Sequence, residues 1–142
     1  VRVCLATGAR WSEAERLTRS QLLSCKLTFT KTKGKKNRTV PIPKYLYEEL
    51  VNRKGRMFKP CYQDFKKMLL LTYIELTEGQ KTHVLRHTFG AHFMMQGGNI
   101  LVLQKVLGHA NIRETMKYSH FAPDHLEQAV ELNPLSAAMS TE

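Results

Sequence analysis

Two short stretches of this chain alternate apolar and polar residues at the period of a strand, and they flank a strongly basic turn. In KLTFT, Leu27 and Phe29 alternate with polar neighbours; in RTVPIP, Val40 and Ile42 do the same; KTKGKKN lies between them. That pattern predicts a hairpin. Pro41 and Pro43 make its second strand an edge or terminal one, because proline has no N–H to give to a ladder. Elsewhere the periodicity is helical. Leu85, Phe89 and Phe93 recur at fours in HVLRHTFGAHFMM and mark a core-facing stripe. Helices are expected from Pro43 through PKYLYEELVNR, over YQDFKKMLLLTYIEL, at 82–96, 100–107 and 111–119, and over PDHLEQAVEL. Residues 1–7 read as the end of a helix broken at Thr7-Gly8, and Ser12 with Glu15 as a capping box opening SEAERLT. The fold class is therefore mainly α with one small antiparallel β-sheet.

A length of 142 residues predicts one domain with a substantial core, and no linker, internal repeat or low-complexity tract divides it. The 22 lysines and arginines against 12 acidic residues leave a net charge of +10, which suits a polyanion bound through counterion release. Cys4, Cys25 and Cys61 are odd in number and lack CxxC spacing, so they read as reduced intracellular thiols. The apolar runs fall far short of a membrane span, and no signal peptide opens the chain. VRVCLATG begins without an initiator Met or a capping residue, as if cut from within a helix, so an excised domain is expected.

The chemistry concentrates in four segments. ATGARWSE carries Arg10, THVLRHTF carries His83 and Arg86, VLGHAN carries His109 and MKYSHF carries Tyr118. Two guanidiniums, two imidazoles and one phenol suit a site where a tyrosine attacks a phosphodiester. His83 and Arg86 are three apart and share a helix face, and Thr82 is placed to cap that helix, leaving free N–H groups for an anion. A guanidinium offers two parallel N–H bonds to phosphate oxygens and keeps its charge. Glu13 is placed either to hold Arg10 by a charge pair or to serve as an ordinary first-turn acid. His109 follows Gly108, a natural residue past a helix end, and precedes Tyr118 by nine positions, on a segment that Asn111 is placed to cap. His83, His87 and His92 do not make a metal site, since HVLRH lacks the glutamate that a zincin needs and no carboxylate or thiol cluster completes a set. His87 reads as a packing or supporting histidine. No cofactor is expected.

The run HVLRHTFGAHFMMQGGNILVLQKVLGHANIRETMKYSH resembles the C-terminal signature of the tyrosine recombinases, the lambda-integrase family, and TGARWSEAERLT resembles its N-terminal signature. With KTKGKKNRTVPIP between them, the matches span nearly the whole chain in family order, in the style of a temperate-phage integrase. The resemblance implies the DNA breaking-rejoining fold over residues 1–142, with 123–142 a C-terminal helix and tail, and a missing N-terminal part that includes a DNA-clamping domain. It implies Tyr118 as nucleophile, Arg10, Arg86 and His109 as phosphate ligands, His83 as proton acceptor or phosphate ligand, and a catalytic lysine on the hairpin, eight residues before the proline of Val40-Pro41. That position is Lys33; Lys31 and Lys35 remain rivals because the turn can shift register by two. Lys31, Lys35, Lys36 and Arg38 otherwise read as contacts to the DNA backbone.

The reaction so implied is cleavage and rejoining of DNA through a 3′-phosphotyrosine, independent of metal and ATP, for phage integration or excision. The partners implied are double-stranded DNA at attachment-type sites, a homotetramer in synapsis joined through the C-terminal tail, and DNA-bending accessory proteins, with no membrane. The setting is the cytoplasm of a bacterial host, from a phage or prophage gene. A type IB topoisomerase would share this chemistry. A non-catalytic DNA-binding module and, more distantly, a metallohydrolase are the competing classes.

Overall fold

The alternation around the basic turn does build the sheet. In the computed structural model, which describes residues 1–30, 37–76, 80–124 and 126–134, three strands run β1 (Leu22–Leu23), β2 (Lys26–Phe29) and β3 (Arg38–Pro41). They pair antiparallel in that order, with Leu27 opposite Val40 and Phe29 opposite Arg38. Leu27, Phe29 and Val40 point into the core, so the period-two pattern sets the register. β3 has a neighbour on one side, which is where its proline is tolerated. β1 was not legible. Its two leucines carry no alternation, and the turn joining it to β2 uses Ser24 and Cys25 at positive φ (45° and 58°) where glycine or asparagine is the usual signal.

Eight helices accompany the sheet among the described residues: α1 (Arg2–Thr7), α2 (Trp11–Glu15), α3 (Lys44–Val51), α4 (Tyr62–Leu70), α5 (His83–Met95), α6 (Ile100–Leu107), α7 (Arg113–Met116) and α8 (Gln128–Glu131). α1 ends where expected, with Gly8 left-handed at φ 64°. α2 starts two residues earlier than the Ser12–Glu15 box would have it. Arg10 is its cap residue, and the Glu13 carboxylate accepts from the Arg10 backbone N–H at 2.9 Å. Glu15 is engaged elsewhere, accepting from Trp11 Nε1 and from the Cys61 backbone N–H. α4 stops at Leu70, short of the expected YQDFKKMLLLTYIEL. α6 is capped by Asn99, whose Oδ1 accepts from Leu101 and Val102, and is closed by a left-handed Gly108. The expected helix at 111–119 shrinks to α7, followed by a single 3-10 turn at Ser119–Phe121.

The larger core packs α1 and α3 against the sheet, with Leu17, Leu27, Phe29, Leu46 and Leu50 almost wholly buried. A second core cluster unites Met94, Leu103, Leu107 and Tyr118, flanked by Phe89 and Phe93. α5 touches both clusters and lies against α1, so it is the element around which the candidate residues are arranged. No described helix is long and apolar enough to cross a membrane.

Candidate active site

Arg86 is the hub. Its guanidinium is buried on α5 and donates from Nη1 to the Gly8 carbonyl and from Nη2 to the Leu107 carbonyl, both at 2.7 Å. Each carbonyl closes the end of a helix, and each stands two residues before another candidate: Gly8 before Arg10, Leu107 before His109. One side chain thus ties the ends of α1 and α6 to α5. Burial, followed by the positive charges of Arg10 and Arg38, brings the Arg86 pKa down to about 10, so it stays protonated at neutral pH.

Arg38 does not face solvent as a member of a DNA-contacting run would. On β3 it shares the inward face with Val40, stacks its guanidinium 4.6 Å from the Phe29 ring centre, and donates to both Glu13 oxygens at 3.0 and 2.7 Å. Its Nε donates to the Val106 carbonyl at 3.0 Å. This bidentate pair occupies the side chain, so Arg38 is a buried clamp and not a free phosphate ligand. The inward alternation with Val40 was the signal for it. Glu13 also holds Arg10, at 3.2 Å from Nη1. Burial alone would raise the Glu13 carboxyl, but the Arg38 hydrogen bonds, the Arg10 N–H and the two charges outweigh it and bring the pKa to about 2. Two guanidiniums therefore hold one carboxylate, and the buried Arg86 charge is added beside them, an excess of positive charge that an anion would relieve.

Arg10, His83 and Arg86 line one depression of about 230 Å³ together with Trp11, Ser12, Tyr62 and Thr82. Thr82 does not cap α5: its own backbone is helical and its side chain makes no capping bond. The cap expected of Thr82 is therefore not made. His109 follows the left-handed Gly108 and directs Nδ1 to the buried Thr115 hydroxyl at 2.9 Å. Burial and then the Arg86 charge lower its pKa to about 4, so the imidazole is neutral. In the tautomer where Thr115 donates to Nδ1, the His109 proton is on Nε2 and free to be donated.

Tyr118 is on the other flank of α5. It is 2% exposed, sits between α7 and the 3-10 turn, and lines a separate depression with His87, Thr88, Ala91 and Lys117. Its hydroxyl is 2.9 Å from His87 Nδ1. Burial raises its pKa, with Arg86 opposing. Sequence spacing could not have paired His87 with Tyr118, because the contact joins residues 31 apart. Lys31, Lys33, Lys35 and Lys36 lie outside the described residues. Among the described residues no group of three or more His, Cys, Asp or Glu is placed to hold a metal ion.

Comparison with known proteins bears on this geometry. The profile of the phage integrase family matches residues 56–125. The catalytic domain of the bacteriophage HP1 integrase superposes with a TM-score of 0.91 at 61% identity, covering 95% of this chain and 80% of that one. The chain belongs to the phage integrase family. The integrase of Escherichia phage 186 is 68% identical over 136 residues, which are 95% of this chain and 40% of the phage protein. This integrase-family chain thus spans about 40% of the length of the curated relatives it matches. The XerH site-specific recombinase, solved bound to its palindromic difH substrate, shares the fold at 22% identity and a TM-score of 0.65, covering 92% of this chain and 44% of that one. The match to HP1 runs through both signatures, so Arg10 and the residues from His83 to Tyr118 sit in a fold this family uses.

Proposed function

We propose that this chain is the catalytic domain of a phage-type integrase and carries out site-specific DNA strand transfer through a 3′-phosphotyrosine. The observation that supports it most is the depression shared by Arg10, His83 and Arg86, with Arg10 and Arg38 both held by the carboxylate of Glu13 behind it. A phosphodiester is the anion that this donor set and the net charge of +10 suit.

Tyr118 attacks the scissile phosphate. Arg10, His83, Arg86 and His109 stabilise the charge that builds on the non-bridging oxygens, and Lys33 protonates the departing 5′ oxygen. The covalent tyrosyl ester keeps the energy of the broken bond, so rejoining needs neither ATP nor metal. Double-stranded DNA at attachment-type sites is the substrate, and four copies exchange strands in synapsis, with DNA-bending proteins as accessories. The tail suits that assembly: among its described residues Leu126 and Leu132 are apolar and more than 70% exposed. A phage or prophage gene acting in a bacterial cytoplasm fits the phage origin of the relatives.

The test is incubation with nicked suicide DNA in EDTA, followed by a denaturing gel. A covalent protein–DNA band supports the reading. Binding with no band would leave a DNA-binding module, and a reaction abolished by EDTA would point to a metallohydrolase.

A further inference from the structure

The Tyr118 phenol is seated by two residues of α5. His87 Nδ1 lies 2.9 Å from the hydroxyl, with the two ring centres 5.8 Å apart. One turn further on, Gly90 leaves room for the phenol ring: a Cβ there would come within 2.7 Å of Tyr118 Cε1 and 2.8 Å of Cζ. The ring is therefore pressed on the helix backbone, with its oxygen aimed at one imidazole nitrogen. His83, three residues from Arg86, lines the other depression with Arg10 and does not share this seat.

We propose that His87 accepts the Tyr118 proton during attack, leaving His83 to the phosphate. This rests on the reading of Tyr118 as nucleophile. As Tyr118 Oη bonds to phosphorus, the P–O5′ bond breaks. The phenolic proton passes along the existing hydrogen bond to His87 Nδ1, and O5′ takes a proton from the hairpin acid assigned to Lys33. On rejoining, O5′ returns its proton to that acid, and imidazolium His87 returns its own to the tyrosine oxygen.

The surroundings suit an acceptor. The charged and titratable groups about His87 are His83 and Arg86 on its own helix and Lys117 and Tyr118 on the segment packed against it. Burial first, and then the charges of Lys117, His83 and Arg86, lower the imidazole pKa. It is thus neutral when the phenol must lose its proton, as a general base has to be. Lys117 Nζ, 5.2 Å from the Tyr118 ring centre, adds a cation beside the developing phenolate.

The experiment is single-turnover cleavage of nicked suicide DNA by the unsubstituted chain, His87→Asn and Tyr118→Phe. Each is run on an ordinary phosphodiester and on one with sulfur at the bridging 5′ position. Asparagine can place an acceptor near the Nδ1 position but cannot take the proton. His87→Asn should be slower by about a hundredfold or more on both substrates, because the sulfur leaving group removes only the need for the acid. The fall in rate at low pH, which follows His87 protonation below the ordinary imidazole range, should vanish in this variant. Unchanged rates overturn the proposal, and so does a defect that the sulfur substrate repairs. A Tyr118→Phe protein that still forms an adduct overturns the nucleophile assignment instead. Nitrogen-15 spectra of the unsubstituted chain test the same point independently of any folding defect: His87 Nδ1 must be the unprotonated nitrogen, and a protonated Nδ1 overturns the proposal.

Discussion

The two flanks of α5 are built on different principles. On one, Arg86, Arg38 and Glu13 are buried and multiply bonded, the two guanidiniums donating to oxygens from the end of α1, from α2 and from α6. On the other, Tyr118 is carried by a four-residue helix and one 3-10 turn, its ring packed on Gly90 and in the cluster of Met94, Leu103 and Leu107, with one side-chain hydrogen bond. The anion seat is therefore as rigid as the core, because shifting it breaks several buried hydrogen bonds at once. Tyr118 is held mainly by apolar packing, so fewer buried polar bonds must break to move its segment.

Removing the phenolic oxygen should have the largest consequence. Tyr118→Phe should bind DNA as the parent does and form no covalent adduct, since the ring keeps its packing. Labelled DNA travelling with that variant on a denaturing gel would assign the chemistry elsewhere.

Arg86→Ala should strike both flanks. It strips two buried carbonyls of their donor, and it removes a phosphate ligand. Cleavage should fall by about a hundredfold or more, with a loss of roughly 2–4 kcal/mol in chemical denaturation. Normal stability in that variant would show that the ends of α1 and α6 do not depend on the hub.

Glu13→Gln should act through stability and its pH dependence. The folded carboxyl is depressed from 4.5 to about 2, so its contribution is present above the unfolded value and is lost as pH falls from 4.5 towards 2. The parent should lose stability across that window and the variant should lose less of it. Parallel acid-denaturation curves would mean that the Arg38 clamp adds nothing in solution.

Deleting residues 123–142 should have the smallest effect on cleavage. Leu126 and Leu132, in the described part of the tail, are exposed, so adduct formation by the shortened chain should stay near the parent rate while self-association on DNA is lost. Undiminished assembly would remove the intersubunit role from the tail.

The class of fold, and the local elements on or beside which Arg10, His83, Arg86, His109 and Tyr118 lie, were legible because their signals are local. A period-two run, a Gly at a helix end and residues three apart on a helix need no knowledge of distant chain. The capping residues were less so: Ser12 and Thr82 fit the composition of a cap, yet Arg10 and Glu13 open α2, because Glu13 is held by Arg38 from another element.

Arg38 shows the boundary most clearly. Within KGKKNRTVP it reads as one more cation, and the side chain by itself allows that. Its inward place on β3, with Glu13 and the Val106 carbonyl waiting there, makes it a clamp. His87 is the same case on the other flank. The sequence by itself determined which chemical groups are present and which short elements carry them. Only the tertiary structure decided which of those groups meet, because a buried charge or imidazole takes its role from partners 25, 31 or 68 residues away.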